Sequence, residues 1–277
     1  MTKLKHTFKT DTLFKILFTK HQHLLKKLVS HLLAIPIDSI TTFRLLNSEM
    51  PPNEVDKKFC RLDIRMTVNE QQVNLEVQIE NRGSFAERLL LYWARIYSNF
   101  LPEGGNYVDL PQTVIISILD FTLFKDSDDF HSEFRLLEVT RKIPLTDKQI
   151  LHFFELPKLP GNIEKDDLLR LWLALFDANT EEDLLMLEKL EVPEVNEAIT
   201  AYRNVTASQE FLELEFQREK TRLNEASALH NAREQERKLW ESVIKEKDAE
   251  ITENRAVLAD KDALIAELQA KLENMNL

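Results

Sequence analysis

The amino-acid sequence predicts a mixed α/β domain followed by a long helical tail. Two runs in the first third of the chain alternate strictly between apolar and polar residues, which is the period of a β-strand. The chain has four glycines in 277 residues, none of them after Gly161, and Pro193 is the one proline beyond that point. Because turn-forming residues become rare, the last third is predicted to be helical.

The composition limits the class of protein. Hydrophobic residues make up 43 % and charged residues 30 %, enough for a sizeable core. Cys60 is the single cysteine, which excludes an intramolecular disulfide framework or a cysteine-rich zinc cluster and favours a cytoplasmic location. No apolar run approaches the roughly 20 residues of a membrane span, and the polar residues interleaved in the first segment do not predict a signal peptide. We therefore expect no membrane association.

The charge of the chain is unevenly distributed. The net charge is −11, which argues against nucleic-acid binding by the whole surface. Lysine and arginine nevertheless outnumber aspartate and glutamate in residues 1–60, whereas acidic residues dominate the rest. An acidic protein with one basic face can still attract a phosphate backbone. The alternative is that these lysines only solvate a helix.

Hydrophobic periodicity predicts the order of the secondary-structure elements. Continuous or alternating apolar runs indicate strands, and apolar residues three and four apart indicate helices. The predicted helices cover residues 11–34, with a break near His21, and residues 84–101, 168–177, 183–190 and a segment from Val195. The predicted strands cover residues 61–68, 73–80, 114–121, 134–140 and 150–156.

The two alternating runs, residues 61–68 and 73–80, bring acidic side chains together. They predict two half-buried strands, and the short polar link between them predicts a hairpin. Any register that keeps their apolar faces together places Asp63 directly or diagonally across from Glu76 and Gln78.

Two carboxylates on neighbouring strands suit hydrolysis of a phosphodiester with a divalent metal. Oxygen ligands from Asp63 and Glu76 would hold Mg²⁺ or Mn²⁺, which activates water and stabilises the charge at phosphorus. Gln78 would orient the attacking water or donate a hydrogen bond to the phosphate. The alternative is that these acids lie on an exposed surface and form weak ion pairs with Arg61 and Arg65.

The helical tail carries a heptad pattern. Isoleucine or leucine recurs every seven residues at Ile244, Ile251, Leu258, Ile265 and Leu272. The partner positions are weaker, since half of them are polar, and they include Asn254. This pattern predicts a coiled coil from Phe216, roughly 90 Å long, and a homodimer formed through it. The alternative is a single solvated helix that folds back on the domain, but a lone helix of this kind is marginally stable in water.

The order of several segments resembles the PD-(D/E)XK nuclease family transposases, also described as Rpn-type recombination-promoting nucleases. Each segment alone is weak, but their order is specific, and the similarity reaches about residue 220. The segments are DTLFKILF (11–18), NSE (47–49), RLDIRM (61–66), NLEVQIE (74–80), ERLLLYWARIYS (87–98), GGNYVDLPQTVIISILDF (104–121) and ILHFFELPKL (150–159).

The resemblance implies a restriction-endonuclease-like α/β core, with a mixed central sheet flanked by helices, in residues 1–208. The coiled-coil tail would then occupy residues 209–277. The resemblance also implies cleavage of DNA with Mg²⁺ (or Mn²⁺), with Asp63 and Glu76 as metal ligands. Gln78 stands where the wider superfamily has a lysine.

Further site residues follow from the same resemblance. Glu49 is expected to add a carboxylate to the metal site, with Asn47 as the alternative functional residue of that segment. Lys15, Arg88 and Arg95 are expected to contact the DNA backbone. For the two arginines, pairing with a nearby glutamate (Glu80 or Glu87) is the alternative.

Two functions are therefore expected from the sequence. The first is a metal-dependent DNA endonuclease associated with recombination or a mobile element. The second is a nuclease-fold protein with weak or no catalysis, acting as a DNA-binding module or as a coiled-coil assembly module.

Overall fold

The computed structural model describes residues 2–47, 49–50, 60–61, 63–81, 83–100 and 104–275. The chain divides into two compact units, Met1–Leu214 and Glu215–Leu277. The first unit contains a six-stranded sheet with apolar clusters on both faces, which confirms the predicted mixed α/β class. The greater part of one long helix forms the second unit. A functional division into residues 1–208 and 209–277 stays a prediction.

In the described residues, the first unit begins with two helices, continues with strands interrupted by one α-helix, and ends with consecutive helices. The strands are β1 (Phe43–Leu46), β2 (Glu49–Met50), β3 (Cys60–Arg61), β4 (Ile64–Val68), β5 (Gln71–Gln78), β6 (Thr113–Leu119), β7 (His131–Arg135) and β8 (Gln149–Glu155). The helices are α1 (Asp11–Lys20), α2 (Gln22–Leu32), α3 (Phe85–Ser98), α4 (Leu168–Asp177), α5 (Glu181–Glu188), α6 (Pro193–Thr206) and α7 (Gln209–Met275). The break near His21 is therefore confirmed.

The main sheet has the strand order β1-β4-β5-β6-β8-β7. Strand β4 is antiparallel to both of its neighbours, β1 and β5. Strands β5, β6 and β8 are parallel, and β7 closes the sheet as an antiparallel edge. Strands β2 and β3 pair with each other outside this sheet. The sheet is thus mixed, and β5 lies where its antiparallel and parallel parts meet.

The hairpin of β4 and β5 is confirmed, but its turn is shorter than predicted. Val68 pairs with Gln71, so the turn consists of Asn69 and Glu70. Asn69 has a φ of 53°, a left-handed conformation that asparagine tolerates better than most residues. Its side-chain oxygen accepts a hydrogen bond from the backbone N–H of Thr41 over 2.9 Å. The turn is therefore anchored to the segment before β1, and the hairpin register is fixed.

One face of the sheet packs against α1, α2, α4 and α6. Aromatic rings are the largest side chains fully buried in this core, and each contributes about 1.5–3 kcal/mol through burial. The rings of Phe18 and Phe176, on α1 and α4, are stacked with centroids 6.1 Å apart. The buried aromatic residues of this face include Phe8, Phe14, Phe18, Phe154, Trp172, Phe176, Tyr202 and Phe211.

The opposite face packs against α3. Phe85 and Leu89 of this helix contact a smaller apolar cluster on β6 and β8. On the same face, the polar residues Asn74 and Glu76 of β5 are 0 % and 3 % exposed. The prediction that β5 is half-buried is therefore wrong, because tertiary packing covers its polar face as well as its apolar face.

The predicted strand at residues 134–140 is also wrong in its position. The observed strand β7 is His131–Arg135, and the chain turns shortly afterwards. The carboxylate of Glu138 accepts hydrogen bonds from the backbone N–H groups of Thr140 and Arg141. This local turn ends the extended conformation, although the apolar residues alone would permit it to continue.

The second unit is helical, as predicted. Helix α7 spans 67 residues, which corresponds to roughly 100 Å. The heptad residues Ile244, Ile251, Leu258 and Ile265 are 48–58 % exposed. The coiled coil itself stays a prediction. Within the described residues, no helix combines the length and the hydropathy that crossing a membrane requires.

A buried ion pair after β8 generates a stability prediction. Glu155 is 1 % exposed, accepts hydrogen bonds from the N–H groups of Leu123 and Phe124, and lies 2.7 Å from Lys158 Nζ. Glu155→Ala leaves a buried ammonium group without its partner, so we expect the free energy of unfolding in urea to fall by about 3–5 kcal/mol.

The control for this prediction is Glu133→Ala, which removes an exposed ion pair with Arg135 on the edge strand β7. The expected loss there is roughly 0–1 kcal/mol. If Glu155→Ala lowers the free energy of unfolding no more than Glu133→Ala does, the buried ion pair does not have the stabilising role described.

Candidate active site

The start of β4 and the end of β5 form the candidate site. Ile64 pairs with Leu75 in the antiparallel register, and continuing this register by one residue places Asp63 opposite Glu76. The sequence predicted that Asp63 lies directly or diagonally across from Glu76, and the structure brings these two residues together by direct pairing.

Two hydrogen bonds hold Asp63 and Glu76 in place on their strands. The backbone N–H of Asp63 donates to Glu76 Oε1 over 3.2 Å. The backbone N–H of Val77 donates to Asp63 Oδ2 over 3.0 Å. Each carboxylate is thus bound to the backbone of the opposite strand, so neither depends on a mobile loop for its position.

Glu76 is the enclosed member of the pair. Its carboxyl group accepts a hydrogen bond from Asn74 Nδ2 over 2.9 Å and a longer one from Gln78 Nε2 over 3.4 Å. Burial, followed by the nearby charge of Asp63, raises the pKa of Glu76 to about 8. At neutral pH this carboxyl group therefore retains a proton unless a cation stabilises its charged form.

Asp63 is the more accessible member, with 16 % of its side chain exposed. Burial raises the pKa of Asp63, while the charge of Lys15 and the hydrogen bond from Val77 oppose that rise. Lys15 Nζ lies 3.4 Å from Asp63 Oδ1 and 2.7 Å from Asp11 Oδ1. Helix α1 therefore contributes both a cation and a further carboxylate to the surroundings of Asp63.

Gln78 is held from the side of α3. Its Oε1 accepts a hydrogen bond from Arg88 Nη2 over 2.8 Å, and the guanidinium carbon of Arg88 lies 5.3 Å from the centroid of the Phe85 ring. With the carbonyl oxygen engaged in this way, the amide N–H of Gln78 is directed to Glu76. The structure thus gives Arg88 a polar partner different from the two glutamates considered from the sequence.

Arg95 and Glu49 are the remaining predicted site residues. Arg95 is half-buried on α3, two turns beyond Arg88, and its contact with DNA stays a prediction. The backbone of Glu49 belongs to β2 and pairs with Arg61, but its side chain lies outside the described residues. The role of Glu49, or of Asn47, as a further functional residue stays a prediction.

Sequence reasoning missed two residues around the pair. The spacing of Asp11 and Lys15, four residues apart, indicates an ion pair on one helix. No local sequence pattern predicts that this pair lies beside Asp63. Asn74 shares the strand face of Glu76, two residues before it. Its Nδ2 reaches Glu76, whereas its buried Oδ1 meets no hydrogen-bond donor in the part of the chain that the structure describes.

The donor set at this site fits a hard divalent cation. Burial and the charge of Asp63 disfavour the ionised form of Glu76. A cation placed between the two carboxylates would stabilise that form. Among the described residues, no three His, Cys, Asp or Glu side chains converge in a metal-holding arrangement. Two carboxylates with water completing the shell are a usual environment for Mg²⁺.

The raised pKa of Glu76 generates a pH prediction for the metal-free protein. The folded state holds a proton with a pKa of about 8, whereas the ordinary glutamate value is 4.5. This proton stabilises the folded state at low pH, and that contribution is lost as the pH rises through about 8. We expect the melting temperature in EDTA to fall between pH 6 and pH 9.

Glu76→Gln, which keeps the shape and removes the titration, is expected to flatten this decline. The matched control Glu133→Gln on β7 should leave the decline unchanged. Equal slopes in the wild type and in Glu76→Gln would contradict the prediction.

The chain is similar to a known protein family. A family model described as PD-(D/E)XK nuclease family transposase matches residues 8–232. No curated protein and no solved structure matches the chain. The family match includes the whole sheet, both carboxylates and Gln78, and it covers most of the chain. The chain therefore belongs to the PD-(D/E)XK nuclease family transposases.

Proposed function

We propose that this chain is a metal-dependent endonuclease that hydrolyses phosphodiester bonds in DNA, in association with recombination or a mobile element. Family membership indicates a nuclease or a transposase-associated protein. The observation that carries the finer proposal is the pairing of Asp63 with the buried Glu76, whose hydrogen bonds connect the two strands directly.

The carboxylates of Asp63 and Glu76 would hold Mg²⁺ (or Mn²⁺). When bound, the ion supplies a water molecule of lowered pKa and offsets the charge of the phosphate. The residues of the chain keep this arrangement rigid. Asn74 and Gln78, which precede and follow Glu76 on the same face of β5, orient its carboxyl group, and Arg88 fixes Gln78.

The charges around the pair support DNA as the substrate. Lys15 on α1 is a side chain that can meet phosphate oxygens next to the carboxylates, and Arg88 and Arg95 add positive charge on α3. Because phosphate contacts with lysine and arginine release counterions, DNA binding should weaken as salt increases. A cytoplasmic location is part of this proposal.

The second candidate is a nuclease-fold protein with weak or no catalysis that acts through DNA binding or assembly. Gln78 favours it, because a glutamine offers an amide dipole where a cation would stabilise the transition state more strongly. Mg²⁺-independent binding of DNA without cleavage is the behaviour expected of this candidate.

The nuclease proposal predicts that purified protein nicks supercoiled plasmid when Mg²⁺ or Mn²⁺ is added. Asp63→Ala and Glu76→Ala should each lower the cleavage rate by about 100-fold or more, because each removes a ligand of the ion that stabilises the transition state. The rates are measured by gel assay over a metal titration.

The control is Glu133→Ala, an exposed acid on the edge strand, which should cleave as the wild type does. Cleavage that persists in both Asp63→Ala and Glu76→Ala would point to a contaminating nuclease or to a different site.

The proposal also includes a homodimer formed through α7. Four aliphatic heptad residues are about half exposed along this helix, and a second copy would cover them. We expect the double variant Ile251→Asp/Leu258→Asp to sediment as a monomer, whereas the wild type sediments as a dimer.

Thr252→Asp, which lies between these two positions on another side of the helix, should leave the dimer intact. A wild type that sediments as a monomer at micromolar concentration would end the dimer proposal without affecting the nuclease proposal.

A further inference from the structure

Helix α1 brings a cation to the reaction centre. Lys15 Nζ lies 3.4 Å from Asp63 Oδ1 and 2.7 Å from Asp11 Oδ1. The side chain is 28 % exposed, so the ammonium group is partly withdrawn from solvent and still accessible. A lysine that serves only to solvate a helix surface does not need two carboxylate partners from separate elements.

The backbone beneath Lys15 is rigid. Leu13, Phe14, Leu17 and Phe18, which surround Lys15 in sequence, are all 0 % exposed. Helix α1 is therefore anchored in the aromatic core, and its partners restrict the lysine side chain further. Little additional conformational entropy is lost when such an ammonium group binds an anion.

Lys15 supplies a charged hydrogen-bond donor. A lysine side chain is ordinarily protonated at neutral pH, and Lys15 Nζ faces carboxylate oxygens of Asp11 and Asp63. The group therefore acts as a cation and hydrogen-bond donor at this site, and it does not act as a base.

A cation for the phosphate is still needed after the other polar groups beside the carboxylates are considered. Gln78 is neutral, and its carbonyl oxygen is engaged by Arg88. Arg88 lies on the opposite layer of the sheet from α1 and is already bound to Gln78. Hydrolysis of a phosphodiester accumulates negative charge on the oxygens at phosphorus, and a fixed donor at that position contributes strongly to the rate.

We propose that Lys15 is a catalytic residue whose ammonium group donates a hydrogen bond to a non-bridging oxygen of the scissile phosphate beside Asp63. This inference rests on the proposed nuclease function and assigns Lys15 a more specific role than a general contact with the DNA backbone.

The reaction balances without a covalent change at Lys15. The water oxygen uses an electron pair to form a bond to phosphorus, and the bond from phosphorus to the departing sugar oxygen breaks with its electron pair on that oxygen. The water loses a proton and the departing oxygen gains one, so the products are a phosphate monoester end and a hydroxyl end. Lys15 holds its proton throughout and stabilises the charge that develops in between.

A transition-state contact and a simple backbone contact predict different measurements. A contact present equally before and during reaction strengthens DNA binding and leaves the rate at saturation unchanged. A contact that strengthens only in the transition state changes the rate at saturation and has little effect on binding. Loss of a backbone contact also lowers the salt dependence of binding by about one unit of slope.

The experiment compares Lys15→Met, Lys15→Arg and the control Lys20→Met in the full chain. Lys20 lies on the same helix and pairs with Glu210. Single-turnover cleavage of a duplex DNA is measured at saturating protein with Mn²⁺, and DNA affinity is measured in EDTA by fluorescence anisotropy at several salt concentrations.

We expect Lys15→Met to lower the cleavage rate by about 100-fold or more, with an affinity within about threefold of the wild type. Lys15→Arg, which keeps the charge, should cleave at least about tenfold faster than Lys15→Met. Lys20→Met should cleave at the rate of the wild type. If circular dichroism shows that Lys15→Met is unfolded, Lys15→Gln takes its place with the same expected loss.

A cleavage rate for Lys15→Met within about threefold of the wild type overturns the inference. A loss confined to affinity, with a lower salt slope and an unchanged rate at saturation, overturns it as well and reduces Lys15 to a backbone contact. In both cases the wild type still cleaves, so the nuclease function stands. A wild type that cleaves with neither Mg²⁺ nor Mn²⁺ ends the nuclease function, and the role of Lys15 ends with it.

Discussion

A carboxyl group buried beside a second carboxyl group must be neutralised, and the candidate site is arranged around this requirement. Glu76 is enclosed on the covered face of β5, and Asp63 faces it from the next strand. Three partners can compensate for the charge: a proton on Glu76, the ammonium group of Lys15, and a divalent cation. The site is therefore least stable when the carboxylates are fully ionised and no cation is bound, which is the condition that favours uptake of a metal.

The fold creates this pairing through the position of β5. This strand lies between the antiparallel and parallel parts of the sheet, so the start of β4 meets its end at the same edge. Helix α1 approaches that edge from the apolar face and α3 approaches it from the polar face. Lys15 and Arg88 consequently reach the same strand ends from opposite layers, although neither could do so without the core that holds its helix.

Period-two alternation was sufficient to predict the hairpin and the juxtaposition of Asp63 and Glu76, because strand register is constrained by which face is apolar. Alternation could not predict that the polar face of Glu76 is buried, since the covering helix α3 lies outside the hairpin. The contact between Lys15 and Asp63 depends on how α1 packs on the sheet, a tertiary relation that no local pattern encodes. The misplaced strand at residues 134–140 shows the opposite limit, because there the carboxylate of Glu138 favours a turn over extension.

The two-residue turn at Asn69 and Glu70 is too short to accommodate an inserted residue. Successive side chains on a strand point to opposite faces. If one inserted amino acid shifted the pairing of β4 and β5 by one residue, Asp63 would point away from Glu76 and the apolar side of β4 would be exposed. Length variation in relatives of this chain should therefore be excluded from residues 63–78 and concentrated in the loops that join the outer strands. An alignment of such relatives should run through the hairpin without gaps.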